Sequence, residues 1–309
     1  MNGYPILLAL STADAAALAT FHRVATAAQA FDGYAPFNEQ ALFDLHSGRR
    51  AAYLVRTNEL VVGAALGGRG EIDLVISPEY RRRGYGRSAA RELAATEPND
   101  LTAWSHGDHP AARALASDLR FVAARALLEL RKPLLDSEVE GSAVAGAAAS
   151  VGASAVEGAA ASVGGGSILA FRPGVDDAEW VALNALVFAT HPEQGAITEA
   201  DLKARQAESW FNSDDFLILR DGEGRMIGYN WLKVDGAIGE IYVVGVQAES
   251  AGRGLGRMLM QAGLERLADA GCTTAALYVE ADSVGPVHLY RTLGFVDHTV
   301  DVQYRRLVD

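Results

Sequence analysis

Three short apolar runs follow one another near the start of the chain: AAYLVRT (51–57), ELVVGAALG (59–67) and EIDLVISP (71–78). Runs of this length, rich in β-branched and aromatic residues, predict strands; Asn58 and Glu59 make the turn between the first two, and EIDLVISP reads as a buried strand. Before them, STADAAALATFHRVATAAQAF has apolar residues at helical spacing. The same order returns later as DDAEWVALNALVFAT (helix), FLILRD, the turn GEGR, MIGYNWLKV and the strand EIYVVGV. After each third strand stands a glycine element, SPEYRRRGYGRS at 77–88 and QAESAGRGLGR at 247–257. A helix follows in each copy (RSAARELAAT; RMLMQAGLERLADAG), then a strand (LTAWSHG; TTAALYVE), a short helix and an apolar strand. The pattern predicts two copies of one mixed α/β unit, 1–133 and 168–309, each with its own core.

Between the copies, AVAGAAASVGAS (143–154) runs directly into AVEGAAASVGGG (155–166). Side chains this small bury little surface and the glycines oppose a continuous helix, so 134–167 reads as a flexible linker. A short β-solenoid turn is the competing reading, although two copies without a large apolar residue cannot build a stacked core.

Composition narrows the partners. A formal charge of −12 over 309 residues repels a phosphate backbone, and no basic stripe offsets it, so nucleic acid is not expected. The single cysteine, Cys272, precludes an internal disulfide and suits a reducing compartment. The start, MNGYPILLALSTADAA, lacks the basic region of a signal peptide, and no apolar run is long enough for a membrane span. A cytoplasmic monomer without membrane contact or metal is expected.

The glycine elements carry the chemistry. A strand that splays from its neighbour and turns through Gly84 or Gly254 into a helix points several backbone N–H groups at one spot, where the helix dipole also favours negative charge. A pyrophosphate fits there. Glycine lets the phosphates approach the backbone, and Arg82, Arg83, Arg87, Arg253 and Arg257 add charge at the rim. One R-x-x-G-x-G alone is a weak signal, because glycine often opens turns; two, each between a strand and a helix, are a strong one. The element lacks the GK[ST] of a Walker loop and the parallel context of a dinucleotide fingerprint.

These residues resemble the GCN5-related N-acetyltransferases (GNAT), whose R/Q-x-x-G-x-G/A loop cradles the pyrophosphate of acetyl-CoA. RRRGYG (81–86) matches the pattern throughout, whereas the second copy has Ala251 where the family has Gln or Arg. DSVGPVHLYRTLGF (282–295) is similar to the family's N-x-x-A-x-x-x-Y-x-x-x-G-F, with Ser283 for the Asn, Pro286 for the Ala, and Tyr290 in place. FATHPEQGAITEADLKAR, NWLKV, GEIYVVGV, LYVEAD and LYRTLGF, in this order behind a degenerate first unit, resemble an actinobacterial branch that acetylates the cysteinyl amine of a cysteine–glucosamine–inositol pseudodisaccharide.

The resemblance implies two tandem domains, each a mixed, mostly antiparallel sheet flanked by helices, with acetyl-CoA as cosubstrate. It implies cofactor contacts at Leu74, Val75, Ile76, Arg82, Arg83, Gly84, Tyr85, Gly86 and Arg87 in the first copy. In the second they fall at Val244, Gly245, Val246, Ala251, Gly252, Arg253, Gly254, Leu255, Gly256, Arg257 and Ser283. It carries Glu39, Glu193, Lys233, Glu240 and Tyr278 over as acceptor contacts. Four have a plainer reading: Glu39 and Glu193 as carboxylates facing water, Lys233 as an ordinary strand-end lysine and Glu240 as a solvated strand-end carboxylate; Cys272 reads as a core thiol. His191 reads as a cap on the helix that precedes it.

Acetyl transfer to an amine needs a neutral nucleophile, a polarised thioester carbonyl and a proton for the departing thiolate. Glu240, heading the strand before the second glycine loop, is the expected base, and Tyr290 the expected acid. The backbone at 244–246 would bind the pantetheine amides as an added strand does. Aligning Phe121 with Phe295 sets Ala116 opposite Tyr290, so the first copy is expected to hold CoA without catalysing transfer. Two other readings stay open: a tandem acetyltransferase for another amine, such as an aminoglycoside or peptide N-terminus, and a silent CoA- or partner-binding module.

Overall fold

The structure, a computed structural model, describes residues 5–11, 13–58, 60–96, 100–134, 166–250 and 252–307, and of Pro192 and Glu193 the backbone alone. The expected linker falls almost wholly at 135–165, outside the described residues, as do Glu59 and Ala251. The first half runs β1 (Ile6–Ala9), α1 (Ala15–Asp32), α2 (Glu39–His46), β2 (Ala51–Thr57), β3 (Leu60–Gly68), β4 (Glu71–Ile76), α3 (Tyr85–Ala95), β5 (Leu101–Ser105), α4 (Pro110–Asp118) and β6 (Val122–Pro133). The second runs β7 (Ser167–Ala170), α5 (Asp177–Val187), α6 (Pro192–Gly195), α7 (Glu199–Gln206), β8 (Phe216–Arg220), β9 (Met226–Asp235), β10 (Ile238–Val246), α8 (Leu255–Asp269), β11 (Thr274–Glu280), α9 (Val284–Thr292) and β12 (Val296–Arg306). This is a mixed α/β fold, with the tandem order of elements that the pattern predicts. Among the described residues, no helix is long and apolar enough to cross a membrane.

Helix ends follow local chemistry. Asp14 accepts the N–H groups of Ala16 and Ala17 at the start of α1, and Gly33, at φ 85°, closes it. Thr198 and Asp201 form a reciprocal capping box on α7.

Two compact units emerge, and they are not collinear with the sequence. The first takes residues up to Glu129 together with Val279–Val284 and Asp297–Asp309; the second takes Leu130–Tyr278 and Gly285–Val296. In the first unit β1 to β4 form an antiparallel meander. β5 joins parallel to β4, as a crossover through α3 requires. The strand after β5 in this sheet is β12, antiparallel from Val302↔Ser105 to Arg306↔Leu101. The pattern sets a closing strand at the end of each copy; the last one in fact extends the sheet of the first unit. α1 and α2 bury Phe21, Val24, Ala41 and Leu45 against Leu54, Ala64 and Leu66. α3 and α4 bury Leu93, Ala94 and Ala116 with Ala65, Ile72, Leu101 and Phe121.

In the second unit β7 to β10 are antiparallel and β11 is parallel to β10. The face under α5 and α7 is aromatic: Trp180, Phe216, Tyr229 and Trp231 are fully buried, each burial of such a ring stabilising by about 2–3 kcal/mol. α8 covers the other face and lies so close that a Cβ on Gly239 would meet Leu267 at 2.4 Å, and one on Gly263 the Asn230 amide at 2.3 Å.

Candidate active site

In both units the parallel pair parts before its strands end. β10 and β11 pair from Ile238↔Thr274 to Ile241↔Leu277, whereas β10 runs on to Val246 and β11 to Glu280. β4 and β5 pair only at Glu71↔Thr102 and Ile72↔Ala103, whereas β4 continues to Ile76. The segments named from the resemblance, Leu74 to Ile76 and Val244 to Val246, lie in these splayed stretches beyond the parallel ladder. Gly245 has a packing reason as well: a Cβ there would sit 2.9 Å from the Tyr229 hydroxyl and from Val187.

Each splayed strand leads to a loop of the same conformation. Arg82 (φ 63°) and Gly84 (φ 86°) match Gly252 (φ 75°) and Gly254 (φ 79°), so positive-φ residues recur at every second place in both loops, an arrangement suited to an anion-binding nest. Gly84 and Gly254 are the N-caps of α3 and α8, and neither helix has a side-chain cap, which leaves first-turn N–H groups for a ligand. A Cβ at Gly84, Gly252 or Gly254 would meet nothing within 4 Å. At Gly86 it would touch Leu115 at 3.9 Å, and at Gly256 Leu289 at 3.7 Å, both ordinary contacts. Packing within the protein therefore does not require glycine at 86 or 256, and a small residue there keeps the helix end open to a phosphate. The residues fit the pyrophosphate of CoA.

The rim arginines divide. Arg87 pairs with Asp118 at 2.5 Å and Arg257 donates to the Thr292 hydroxyl at 2.7 Å, each tying a glycine-loop helix to the next helix. Arg83 donates to the Glu79 carbonyl and lies over Tyr80. Arg253 is exposed, Leu255 half-buried and the Tyr85 side chain buried in the core, so Tyr85 offers the cradle only its backbone. The motif's own arginine, Arg81, was not among the expected contacts. It holds Asp32 through two 2.7 Å bonds and donates to the Ile76 carbonyl, fastening the loop to the end of α1. Its partner lies 49 residues away, beyond any local signal.

Glu240 and Lys233 are register partners across β10 and β9, and Glu240 pairs in register with Ala276 of β11, two residues before Tyr278. Register partners share a face, so Glu240, Lys233 and Tyr278 stand together on one side of the sheet. Tyr278 is about half exposed. Lys233 lies with its Nζ 5.2 Å from the centre of the Trp210 ring. A β-bulge falls between Ile241 and Val243. It turns Tyr242 toward Trp210 and Trp231 and under an Arg205 guanidinium that hydrogen-bonds its hydroxyl. Arg205, Trp210 and Tyr242 escaped sequence reasoning, although the last stands two residues after Glu240 in GEIY.

Tyr290 lies on α9 against Phe295, ring centres 6.3 Å apart, and burial pushes its phenol up to about 12. Ser283, whose N–H donates to the Glu280 carbonyl, precedes that helix. Glu39 is an exposed first-turn residue of α2 in the first unit, and the Glu193 side chain is outside the description. His191 occupies the N-cap position of α6 without a side-chain bond. Cys272 is buried, its thiol pushed up by burial and by Asp215.

The two units correspond at the positions that carry the chemistry. Phe121 N–H donates to the Ala116 carbonyl at 2.8 Å as Phe295 N–H does to Tyr290 at 3.1 Å. By strand register, Glu71 (opposite Gly68) takes the place of Glu240 (opposite Lys233), a match visible in the repeated GEI. Glu71 lies 3.5 Å from the buried Arg50, which also grips Asp73 at 2.6 Å.

The acetyltransferase (GNAT) family model matches residues 180–295. The chain is 44% identical over 294 residues to the mycothiol acetyltransferase of Clavibacter sepedonicus, covering 92% of this chain and 90% of that one. It is 39% identical over 291 residues to that of Thermomonospora curvata, covering 91% of each. Among solved structures, a tandem GNAT protein from the clavulanic acid biosynthesis pathway superimposes with a TM-score of 0.68 at 18% identity, over 98% of both chains. A GCN5-related N-acetyltransferase from Sphaerobacter thermophilus does so with 0.65 at 20% identity, over 98% and 95%. Splayed sheets and paired glycine loops thus belong to a tandem GNAT, an acetyl-transferring enzyme of a class that uses acetyl-CoA. Within that class, the chain belongs to the mycothiol acetyltransferase family.

Proposed function

We propose that the protein transfers acetyl from acetyl-CoA to the cysteinyl amine of desacetylmycothiol, giving mycothiol and CoA, and that the second unit carries out the chemistry. The observation that carries this reading is the placement of Glu240. It stands beside Lys233 and on the face of Tyr278, at the point where β10 leaves β11 and opens its backbone toward the Gly254 loop.

Acetyl-CoA supplies the acyl group and a thiolate leaving group. Its pyrophosphate would rest on the N–H groups of Gly252 to Gly256, with Arg253 and Arg257 at the rim, and its amides along Val244 to Val246. Glu240 takes a proton from the substrate ammonium, and the freed amine forms the C–N bond as the C–S bond breaks. Tyr290, which burial keeps protonated well beyond neutral pH, gives its proton to the departing sulfur, and its phenolate recovers the second proton that the nitrogen sheds as the amide forms. The carboxylate of Glu193 and the hydroxyl of Tyr278 suit a cationic, polyhydroxylated acceptor. In this reading the first unit, spanning most of 1–133, binds CoA through Gly84 without turnover, and the whole acts as a cytoplasmic monomer without metal.

Glu240→Gln keeps the size of the side chain and removes the base. Its kcat/KM is expected to fall about 100-fold or more at pH 7 and to recover partly as pH rises toward the acceptor amine's pKa, near 8. A defect confined to KM at every pH would make Glu240 a binding carboxylate only. Thiol profiling of cells lacking the gene tests the acceptor: accumulated desacetylmycothiol supports the reading, and a normal mycothiol pool refutes it.

A further inference from the structure

The internal correspondence exposes a difference that the reaction does not use. Where the second unit has the Tyr290 ring, the first has only the methyl group of Ala116, and there lies a cavity of about 90 Å³. Ile72, Leu74, Trp104, Leu115, Ala116 and Phe121 are among the residues lining it. Native cores close such spaces, because unfilled volume forfeits dispersion contacts. A hollow lined mainly by hydrocarbon also holds water poorly and accepts an apolar guest.

Its position specifies the guest. Ile72 is the last residue of β4 paired to β5, and Leu74 is the next residue inward on the splayed stretch, so the hollow opens where the two strands part. Leu115 forms its wall and also lies against Gly86 of the glycine loop. A CoA held at Gly84 with its arm in the splay would bring its sulfur to the hollow, just as the matching place in the second unit holds the phenol that serves the sulfur. The site has no means of turnover: Ala116 has no proton to give, and Glu71 is charge-paired with Arg50.

We propose that this hollow receives the acyl chain of CoA thioesters longer than acetyl, making the first unit a non-catalytic acyl-CoA site that favours short aliphatic chains such as butyryl. The proposal rests on the reading that the first unit holds CoA. Each methylene moved from water into the hollow tightens binding by up to about fourfold. Butyryl-CoA, two methylenes longer than acetyl-CoA, is therefore expected to bind one site of the full chain roughly 5- to 15-fold more tightly.

Calorimetric titration of the full chain with CoA, acetyl-CoA and butyryl-CoA tests this, alongside Ala116→Phe, which fills the hollow, and Ala112→Leu, a milder filling from the same helix. The expected result is two sites for CoA, one of them with the butyryl preference, and loss of that preference in either filled variant while two CoA sites remain. Two CoA sites without a butyryl preference, or a preference that survives both fillings, overturn the proposal alone. One CoA per chain that Gly84→Val leaves unchanged overturns the CoA reading of the first unit, and the proposal with it.

Discussion

Tyr290 and Ala116 occupy one structural position, as their matching carbonyl bonds from Phe295 and Phe121 establish, and a single side chain there separates a unit with a phenol from one with a methyl group. Tyr290→Phe keeps the packing against Phe295 and removes only the phenolic proton. Turnover is expected to fall roughly 10- to 1,000-fold with little change in thermal stability. Because burial holds the phenol up to about 12, the wild-type kcat should show no alkaline decline from this group as pH passes 10. Both are read in steady-state profiles with chemistry rate-limiting; unchanged turnover in the variant removes Tyr290 from the mechanism.

At the scale of elements, β12 is fastened to β5 by more than its ladder. Beyond β5, His106 Nδ1 meets Asp301 Oδ2 at 2.6 Å, and the other Asp301 oxygen accepts the Gly107 N–H at 2.9 Å. Burial by itself would lower the imidazole pKa, but the hydrogen bond and charge of Asp301, with Asp73 and Glu71 behind it, leave it raised above its ordinary 6.5. A raised pKa means the folded state holds the proton more firmly. The pair's stabilisation is therefore complete below about pH 6.5 and is lost as pH climbs through the folded value. Thermal melts of the wild type and His106→Gln should differ most near pH 5.5 and converge at alkaline pH. A gap independent of pH would assign His106 a packing role only.

At the scale of the molecule, the first unit is incomplete without the end of the chain. β12 contributes five register pairs to β5, from Val302↔Ser105 to Arg306↔Leu101. Arg305 adds a 3.1 Å contact to Asp100, and Arg306 a bond to the Ala94 carbonyl. A chain ending at Phe295 would leave β5 as a bare edge, an invitation to aggregation. In that truncated protein, hydrogen exchange at 101–105 is expected to accelerate markedly relative to the full chain, while β8 and β9 of the second unit keep their protection. Protection at 101–105 equal to that of the full chain would show that β12 is dispensable to this sheet.

Local chemistry was enough to reveal the repeated order of helices and strands, the glycine caps and the GNAT resemblance. Strand periodicity, left-handed glycine and helix capping all act within a few residues, and each leaves its mark in the string. The sequence also brought Glu240, Lys233, Tyr278 and Tyr290 into view through motif likeness, and register puts the first three on one face. What the string could not carry were the partners chosen across long separations: Asp32 for Arg81, Arg50 for Glu71, Arg205 for Tyr242 and Asp301 for His106. It also could not assign β12 to β5, because an alternating strand pairs with whichever edge the fold presents, and that edge exists only once the sheet has formed.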